Sequence, residues 1–280
     1  RMGVEAILPL RMFSSSVFSI TSVMSLLVGA GMFGGLVVVP LYLQIVLGSS
    51  PTDAGLQMIP LMAGIFVTST IAGRVMSRTG RYKPLPIIGT ALMFVALMLM
   101  STLGVDSPIW QPMVFMVVMG MGLGLSMQTL VISVQNALPP KDMGVATSSV
   151  TFFRSMGGTF GAAVSLAVLF GSLAGNIQSR AVRAGLPDDV IARFENASSL
   201  NDTSIIDTLP EAVRRVVLEG FADSMSTVFV VVAMLLVPAF VLSFLVKELP
   251  LRTSGGLEAA SADEQEARMR TAESESAIVV

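Results

Sequence analysis

Long apolar runs separated by short segments rich in polar residues, proline and glycine dominate the sequence. A helix of roughly 20 apolar residues crosses a hydrocarbon core about 30 Å thick. Six runs approach or exceed that length, and we place the predicted spans near residues 17–47, 54–76, 85–103, 111–135, 144–173 and 224–246. The pattern predicts an all-α, multi-pass membrane protein of six transmembrane helices, with a kink at Pro40 in the first span.

The distribution of Lys and Arg predicts the orientation of these spans. With a cytoplasmic N-terminus, the inner segments carry most of the basic residues near span ends, and the two short outer loops carry none. The segment LPEAVRRVVLEG (209–220) predicts a short helix on the outer surface. We expect a cytoplasmic linker at 1–15, a bundle at 16–247 with an extracytoplasmic loop at 174–222, and an acidic, disordered cytoplasmic tail at 248–280.

Composition narrows the function. Hydrophobic residues make up 53% of the chain and charged residues 13%, which favours the lipid bilayer as the surrounding medium. The chain lacks Cys and His, which excludes disulfides, the usual zinc ligands and imidazole or thiolate chemistry. A net charge of −2 argues against a nucleic-acid partner. Since no nucleophile elbow or phosphate-binding loop occurs either, we expect no enzyme, no cofactor and no metal.

Glycines in the first span raise the question of nucleotide binding, because Gly29-x-Gly31-x-x-Gly34 matches a dinucleotide fingerprint. That fingerprint requires a preceding strand and free amides at a helix start, whereas these glycines lie inside an apolar helix. Glycines four residues apart instead predict grooves for close helix packing. The predicted grooves are Gly31 with Gly35, Gly120 with Gly124, and Gly157 with Gly161.

Polar residues inside predicted spans are candidates for function, because unpaired polar groups are costly in hydrocarbon. Arg154 lies about 15 Å into the fifth span, on the side of Gly157 and Gly161. It is predicted either to face a site near mid-membrane or to reach the cytoplasmic interface and brace a neighbouring helix. In the fourth span Gln128 and Gln135 share a stripe with the glycines, and Asn136 adds an amide at its inner end. The stripe predicts a water-filled path or interhelical hydrogen bonds, and Gln44 and Gln57 are weaker cases of the same kind.

Carboxylates near the predicted membrane core are scarce. Asp53 and Asp223 are placed at outer helix starts and Asp142 at an inner one, where N-capping is the ordinary role. If the protein moves protons, the titrating group is Asp53 or Asp223 in an unusual environment, or it lies outside this chain. The first residue is Arg1 and not Met, from which we expect an upstream part.

The segment GRVMSRTGRYKP (73–84) resembles the signature loop of the major facilitator superfamily. Gly73, Arg78, Gly80 and Arg81 match its pattern, and Ser77 stands where the family places Asp. The resemblance implies that this loop latches the cytoplasmic side in one state, with Arg78 and Arg81 holding facing helix ends or acids. The missing acid removes the charge relay known for the stronger copy of this loop.

Three further segments, VPLYLQIVLGSSPTDAGLQMIP (39–60), VQNALPPKDMGVATSSVTFFRSMGGTFGAAV (134–164) and VKELPLR (246–252), are similar to the C-terminal part of the fourteen-span drug:proton antiporters of that superfamily. The resemblance implies the C-terminal six-helix bundle of a facilitator fold, built as an inverted pair of three-helix repeats. It also implies a bacterial inner-membrane exporter that closes against a missing N-terminal bundle and exchanges protons for an amphiphilic, often cationic, small molecule.

Two alternatives remain open on the sequence. One is an exporter or facilitator for a physiological lipid, peptide or metabolite. The other is a non-transporting scaffold in which Gln128 and Arg154 pair inside a dry bundle, whereas a continuous polar path through the membrane would favour transport.

Overall fold

The computed structural model of the protein describes residues 10–139, 142–186 and 210–246. A short 3₁₀ turn (Leu10–Ser14) precedes the helices, and α1 continues into a π-helical turn (Tyr42–Val46). The predictions for residues 1–9, for the centre of the 174–222 loop and for the 248–280 tail lie outside the described residues. The helices are α1 (Ser16–Leu41), α2 (Pro51–Gln57), α3 (Ile59–Thr79), α4 (Pro84–Met100), α5 (Trp110–Ala137), α6 (Met143–Arg183) and α7 (Glu211–Leu245).

These helices cover the six apolar runs of the sequence. Five helical stretches in the described residues are long and apolar enough to cross a membrane, and α4 is a shorter apolar helix of 17 residues. The second run differs in detail, because the short α2 is separated from α3 at Met58. The described residues contain helices and no strand, which confirms the predicted all-α membrane bundle.

Local sequence explains where several helices begin, bend and end. Pro40 lies inside α1, and the missing amide of a proline favours the wider turn that follows, in which Leu47 N donates to Tyr42 O (3.2 Å). The N-cap residue Ser15 accepts a bond from Phe18 N. Gly80 ends α3 with a φ of 68°, a left-handed conformation that glycine adopts without strain.

The structure shortens the predicted 174–222 loop from both sides. Helix α6 continues to Arg183, and α7 already begins at Glu211. The segment predicted as a separate surface helix therefore forms the first turns of α7. The charged side chains there pair between the two helices, so that α6 and α7 extend together beyond their apolar parts.

In chain order the long helices form two three-helix units, α1–α3–α4 and α5–α6–α7, with α2 leading into α3, and the helices of the first unit pack mainly against those of the second. Helix α1, the first of its unit, packs along α6, the middle helix of the other unit. In the reciprocal contact α5 packs along α3, and α4 and α7 also contact each other. This reciprocal pairing is what two inverted repeats would produce.

The two ends of the bundle differ in their polar groups. We call the end with residues 80–83, 138–139 and 142 the signature end, and the end with residues 47–50 and 101–109 the network end. Helices α3 and α6 are the least buried of the long helices, and between the two ends they expose large apolar side chains, including Phe66 (76% exposed) and Phe160 (60%). These two faces are open for lipid or for another part of a longer protein.

Candidate functional site

Arg154 lies on α6 at the point where α6 crosses α1. Its side chain is partly buried, and its guanidinium has no hydrogen bond or ion pair with any residue in the described parts of the chain. The side chain shares the α1 side of the helix with Gly157 and Gly161, as the sequence predicts. An arginine without a counter-charge in this position is the main candidate for a functional group in the bundle.

Three glycines make this crossing possible. A Cβ added to Gly157 would overlap the backbone carbonyl of Leu26, and one added to Gly161 would overlap that of Ala30. In return, a Cβ on Gly29 would overlap the carbonyl of Arg154 itself. The two backbones are therefore in direct contact, and α1 fixes the position of Arg154.

The depth of Arg154 follows from the same contacts. Residues 26–30 of α1, which face α6, lie near the centre of the 31-residue helical stretch Ser16–Val46. Residue numbers rise together along the two helices, since Leu26 meets Gly157 and Ala30 meets Gly161, so α1 and α6 run in the same direction. The backbone of Arg154 therefore lies level with the interior of the α1 stretch, at the twelfth residue of α6.

The exposed face of α6 beside Arg154 carries two parallel stripes with a spacing of four residues. Because residues four apart share one side of a helix, each stripe is continuous along the surface. The polar stripe is Thr151, Ser155 and Thr159, all exposed. The apolar stripe is Phe152, Met156 and Phe160, which are 53%, 55% and 60% exposed.

The hydroxyls of the polar stripe differ in their hydrogen bonds. Thr151 Oγ1 donates to Thr147 O (3.1 Å), and Thr159 Oγ1 donates to Ser155 O (3.2 Å). The hydroxyl of Ser155 has no partner among the described residues. Ser155 and Arg154 thus offer hydrogen-bond donors from consecutive residues, on sides of α6 about 100° apart, next to an apolar surface.

The other predicted glycine grooves have mixed outcomes. Gly120 lies against the carbonyl of Leu61 and Gly124 against Thr68, so both face α3. The predicted groove of Gly31 with Gly35 is not formed, because Gly31 meets Leu236 of α7 whereas Gly35 meets Met119 of α5 and Leu97 of α4. Helix α1 is surrounded by several helices. Gly31 and Gly35 point in slightly different directions around the helix axis, so they face different neighbouring helices.

The amide side chains predicted to form a stripe on α5 differ in whether they have a hydrogen-bond partner. Gln128 is exposed and has no partner in the described residues, and the same holds for the partly buried Gln44. Gln135 Nε2 donates to Thr147 Oγ1 (2.9 Å) and so joins α5 to α6. Asn136 also has a bonding partner, and it lies at the signature end of α5.

The predicted carboxylates occupy helix ends or ion pairs. Asp53 is the third residue of α2 and is exposed, and its backbone amide donates to Oγ of the N-cap Ser50 (3.1 Å). Asp142 occupies the N-cap position of α6 without a side-chain cap bond. Asp223 was predicted to begin a helix, and this prediction is wrong. It lies inside α7, because that helix already starts at Glu211. Asp53 and Asp142 therefore lie at helix ends.

The signature loop is well exposed at its end of the bundle. Ser77, in the position of the missing acid, donates through Oγ to Arg74 O (3.0 Å). Arg78 and Arg81 are exposed and make no ion pair within the described residues, while Gly73 has no atom within 4 Å of a Cβ position. The guanidinium groups of Arg78 and Arg81 are thus available to pair with acids outside the described part of the chain.

An ion-pair network at the opposite end was missed by sequence reasoning. Arg180 Nε and Nη2 donate to the two carboxylate oxygens of Asp223 (2.7 and 2.9 Å), and Nη1 donates to Glu219 (3.0 Å). Arg215 links Glu219 (3.2 Å) to Asp106 (2.9 Å). A cavity of about 420 Å³ lies beside it. The sequence signal for this network was the mixture of acidic and basic residues in 174–222. Composition alone does not show which residues of α6 and α7 lie next to each other.

We expect the Arg180 pair to hold the extended ends of α6 and α7 together. A double-mutant cycle with Arg180→Ala and Asp223→Ala should give a coupling free energy of about 1 kcal/mol, a modest value because solvent screens both partly exposed groups. Thermal unfolding in detergent measures it. The control Arg183→Ala, an exposed residue without an ion pair in the described chain, should change stability by less than about 0.5 kcal/mol. A coupling near zero would contradict this role.

A protein-family model described as Major Facilitator Superfamily matches residues 3–162 of the chain. Among curated proteins, the chain is 39% identical over 249 residues to the uncharacterized MFS-type transporter Rv1877 of Mycobacterium tuberculosis, covering 89% of this chain and 35% of that protein. It thus spans about a third of the length of that relative.

Two other similar proteins carry more informative names. A tetracycline resistance determinant of Streptomyces rimosus is 31% identical over 272 residues, 91% of this chain and 78% of that protein. The multidrug transporter protein MdtP of Bacillus subtilis is 35% identical over 165 residues, 59% of this chain and 30% of that protein. These relatives are named for transport or resistance and not for an enzymatic reaction.

Proposed function

This chain belongs to the Major Facilitator Superfamily, and from that membership we propose that it forms the C-terminal bundle of a proton-driven exporter of drugs or other amphiphilic small molecules. Two relatives, named for tetracycline resistance and for multidrug transport, support an amphiphilic substrate. We place the protein in the bacterial inner membrane with the signature end in the cytoplasm, since Arg74, Arg78 and Arg81 lie there.

The observation that carries this proposal is the exposed face of α6. Its polar stripe (Thr151, Ser155, Thr159) and apolar stripe (Phe152, Met156, Phe160) run side by side next to Arg154. Such a surface can contact both the polar and the apolar part of an amphiphile. A scaffold would be expected to pair Arg154 and Gln128 internally, but neither has a partner in the described residues.

The proposed mechanism is alternating access. The open faces of α3 and α6 would close against an N-terminal bundle, and rocking of the two bundles would expose a central cavity to one side and then the other. Between the two ends of the bundle the described residues hold Arg154 and no carboxylate. We therefore assign proton transfer to acids elsewhere in the full-length protein.

The test is transport by the full-length protein in everted membrane vesicles. An imposed pH gradient should drive uptake of tetracycline or ethidium, and a protonophore should abolish it. The 280-residue segment alone should not transport, because it supplies one side of the cavity. If a well-inserted full-length protein moves neither probe, the proposal fails, and export of a physiological lipid, peptide or metabolite becomes the better hypothesis.

For the signature loop we expect a kinetic effect. Replacing Arg78 and Arg81 together by alanine should lower turnover by up to about thirtyfold, because two exposed ion pairs of roughly 1 kcal/mol or less each would stabilise one state of the cycle. Initial transport rates in vesicles, corrected for inserted protein, measure this. Arg183→Ala, an exposed arginine at the network end, is the control. Unchanged turnover in the double variant would rule out the latch.

A further inference from the structure

The charges of the described residues are arranged so that Arg154 stands alone. The other charged side chains lie toward the two ends of the bundle, and the nearest acid along its own helix is Asp142, twelve residues or about 18 Å away. At the network end, Arg180 and Arg215 already pair with the carboxylates of Asp106, Glu219 and Asp223. The part of this bundle between its two ends therefore carries a positive charge without a counter-charge among the described residues.

Packing does not account for an arginine at this position. The reciprocal helix contact provides the equivalent residue, because Leu61 precedes Gly64 by three residues as Arg154 precedes Gly157. The Leu61 carbonyl faces Gly120 of α5 in the same way as the Arg154 carbonyl faces Gly29 of α1. In that half of the bundle the position is a fully buried leucine. The helix crossing can thus be built without a charge.

The groups around Arg154 suit a particular ligand chemistry. A guanidinium presents a planar set of donors that matches a carboxylate or phosphate in a two-pronged arrangement. The free hydroxyl of Ser155 adds a donor on the adjacent side, and the apolar stripe of Phe152, Met156 and Phe160 lies beyond it. A positive charge at this depth would in turn repel a purely cationic ligand.

We propose that Arg154 binds an oxyanion of the substrate, a carboxylate or a phosphate, and that the protein exports anionic or zwitterionic amphiphiles in preference to purely cationic ones. This inference rests on the proposed function and specifies the substrate class of the same α6 surface. The oxyanion lies against Arg154 and Ser155, and the apolar body of the substrate lies along Phe152, Met156 and Phe160.

A matched pair of dyes tests the inference. Rhodamine B carries a free carboxylate, and its ethyl ester carries the same ring system as a pure cation. With the full-length protein in proteoliposomes and an imposed pH gradient, we expect a higher kcat/KM for rhodamine B than for the ester. Arg154→Gln should lower kcat/KM for rhodamine B about tenfold to a hundredfold, the usual range for one lost charge-assisted contact, and leave that for the ester within about twofold.

Two further variants make the result specific. Arg154→Lys keeps the charge but not the planar fork, so it should cause a smaller loss for rhodamine B, and it provides a second test if Arg154→Gln inserts poorly. Arg183→Gln, an exposed arginine outside the site, should affect neither dye.

Three results would overturn the inference in distinguishable ways. Export of the ester alone would refute it and leave the exporter function intact. An equal loss for both dyes in Arg154→Gln would show that the arginine pairs with an acid of the protein or serves coupling. Transport of neither dye, together with failure of tetracycline and ethidium, would refute the proposed function itself.

Discussion

A Gly157→Val protein is expected to lose about 3 kcal/mol of folding free energy, the upper part of the usual range for overpacking. The obstacle is the backbone of α1, since the new Cβ would overlap the carbonyl of Leu26. A flexible side chain could rotate away from such a contact, but a helix backbone must move as a whole. Thermal unfolding in detergent, followed by circular dichroism, measures the loss.

Gly171→Val is the matched control on the same helix. A Cβ at Gly171 would have no atom within 4 Å, so this change tests valine in α6 without the contact to α1. Its stability should stay within about 0.5 kcal/mol of the parent. Equal losses in both variants would mean that the conformational preference of valine, and not the α1 contact, determines the result.

The same substitution has a consequence for transport. Arg154 lies one turn before Gly157, and its carbonyl contacts Gly29 of α1. A shift of α6 away from α1 would displace the guanidinium and the polar stripe from their positions. In the protein that still folds at low temperature, we therefore expect rhodamine B transport to fall while Gly171→Val remains active.

The membrane bundle could be predicted from sequence because its signal is strong. Six apolar runs near span length, bounded by proline and glycine, leave little choice of fold class, and the structure confirms an all-α bundle. The long ends of α6 and α7 could not be predicted in the same way. Outside the apolar region a helix is as polar as a loop, and the pairing of Arg180 with Asp223 depends on a register that no local pattern encodes.

The candidate site was predictable only in part. The three-residue spacing predicts that Arg154 and Gly157 share one side of the helix, and the structure agrees. Residues that share a side of a helix can be read from their spacing alone. Which neighbour each glycine meets depends on the arrangement of all helices, so the pairing of Gly31 with Gly35 was wrong. The two stripes around Ser155 were also missed, since exposure is a property of the assembled bundle.

The reciprocal contact between α3 and α5 should be equally sensitive. A Cβ on Gly64 would lie 2.7 Å from Val117 O and 3.1 Å from Met121 N, so Gly64→Val is expected to cost about 2–3 kcal/mol. Gly73 lies near the end of the same helix with no atom within 4 Å of a Cβ position. Gly73→Val should therefore leave the thermal midpoint nearly unchanged, and a comparable loss there would contradict the packing explanation.

Combining Gly64→Val with Gly157→Val should produce the largest loss of all. The two contacts share no residue and join different helix pairs, α3 with α5 and α1 with α6. Losses at independent sites add to within about 0.5 kcal/mol, so the sum of about 5–6 kcal/mol would approach the entire stability of many folded proteins. We expect the double variant to be largely unfolded in detergent at 25 °C. A loss no larger than that of either single variant would show that one substitution already opens both contacts.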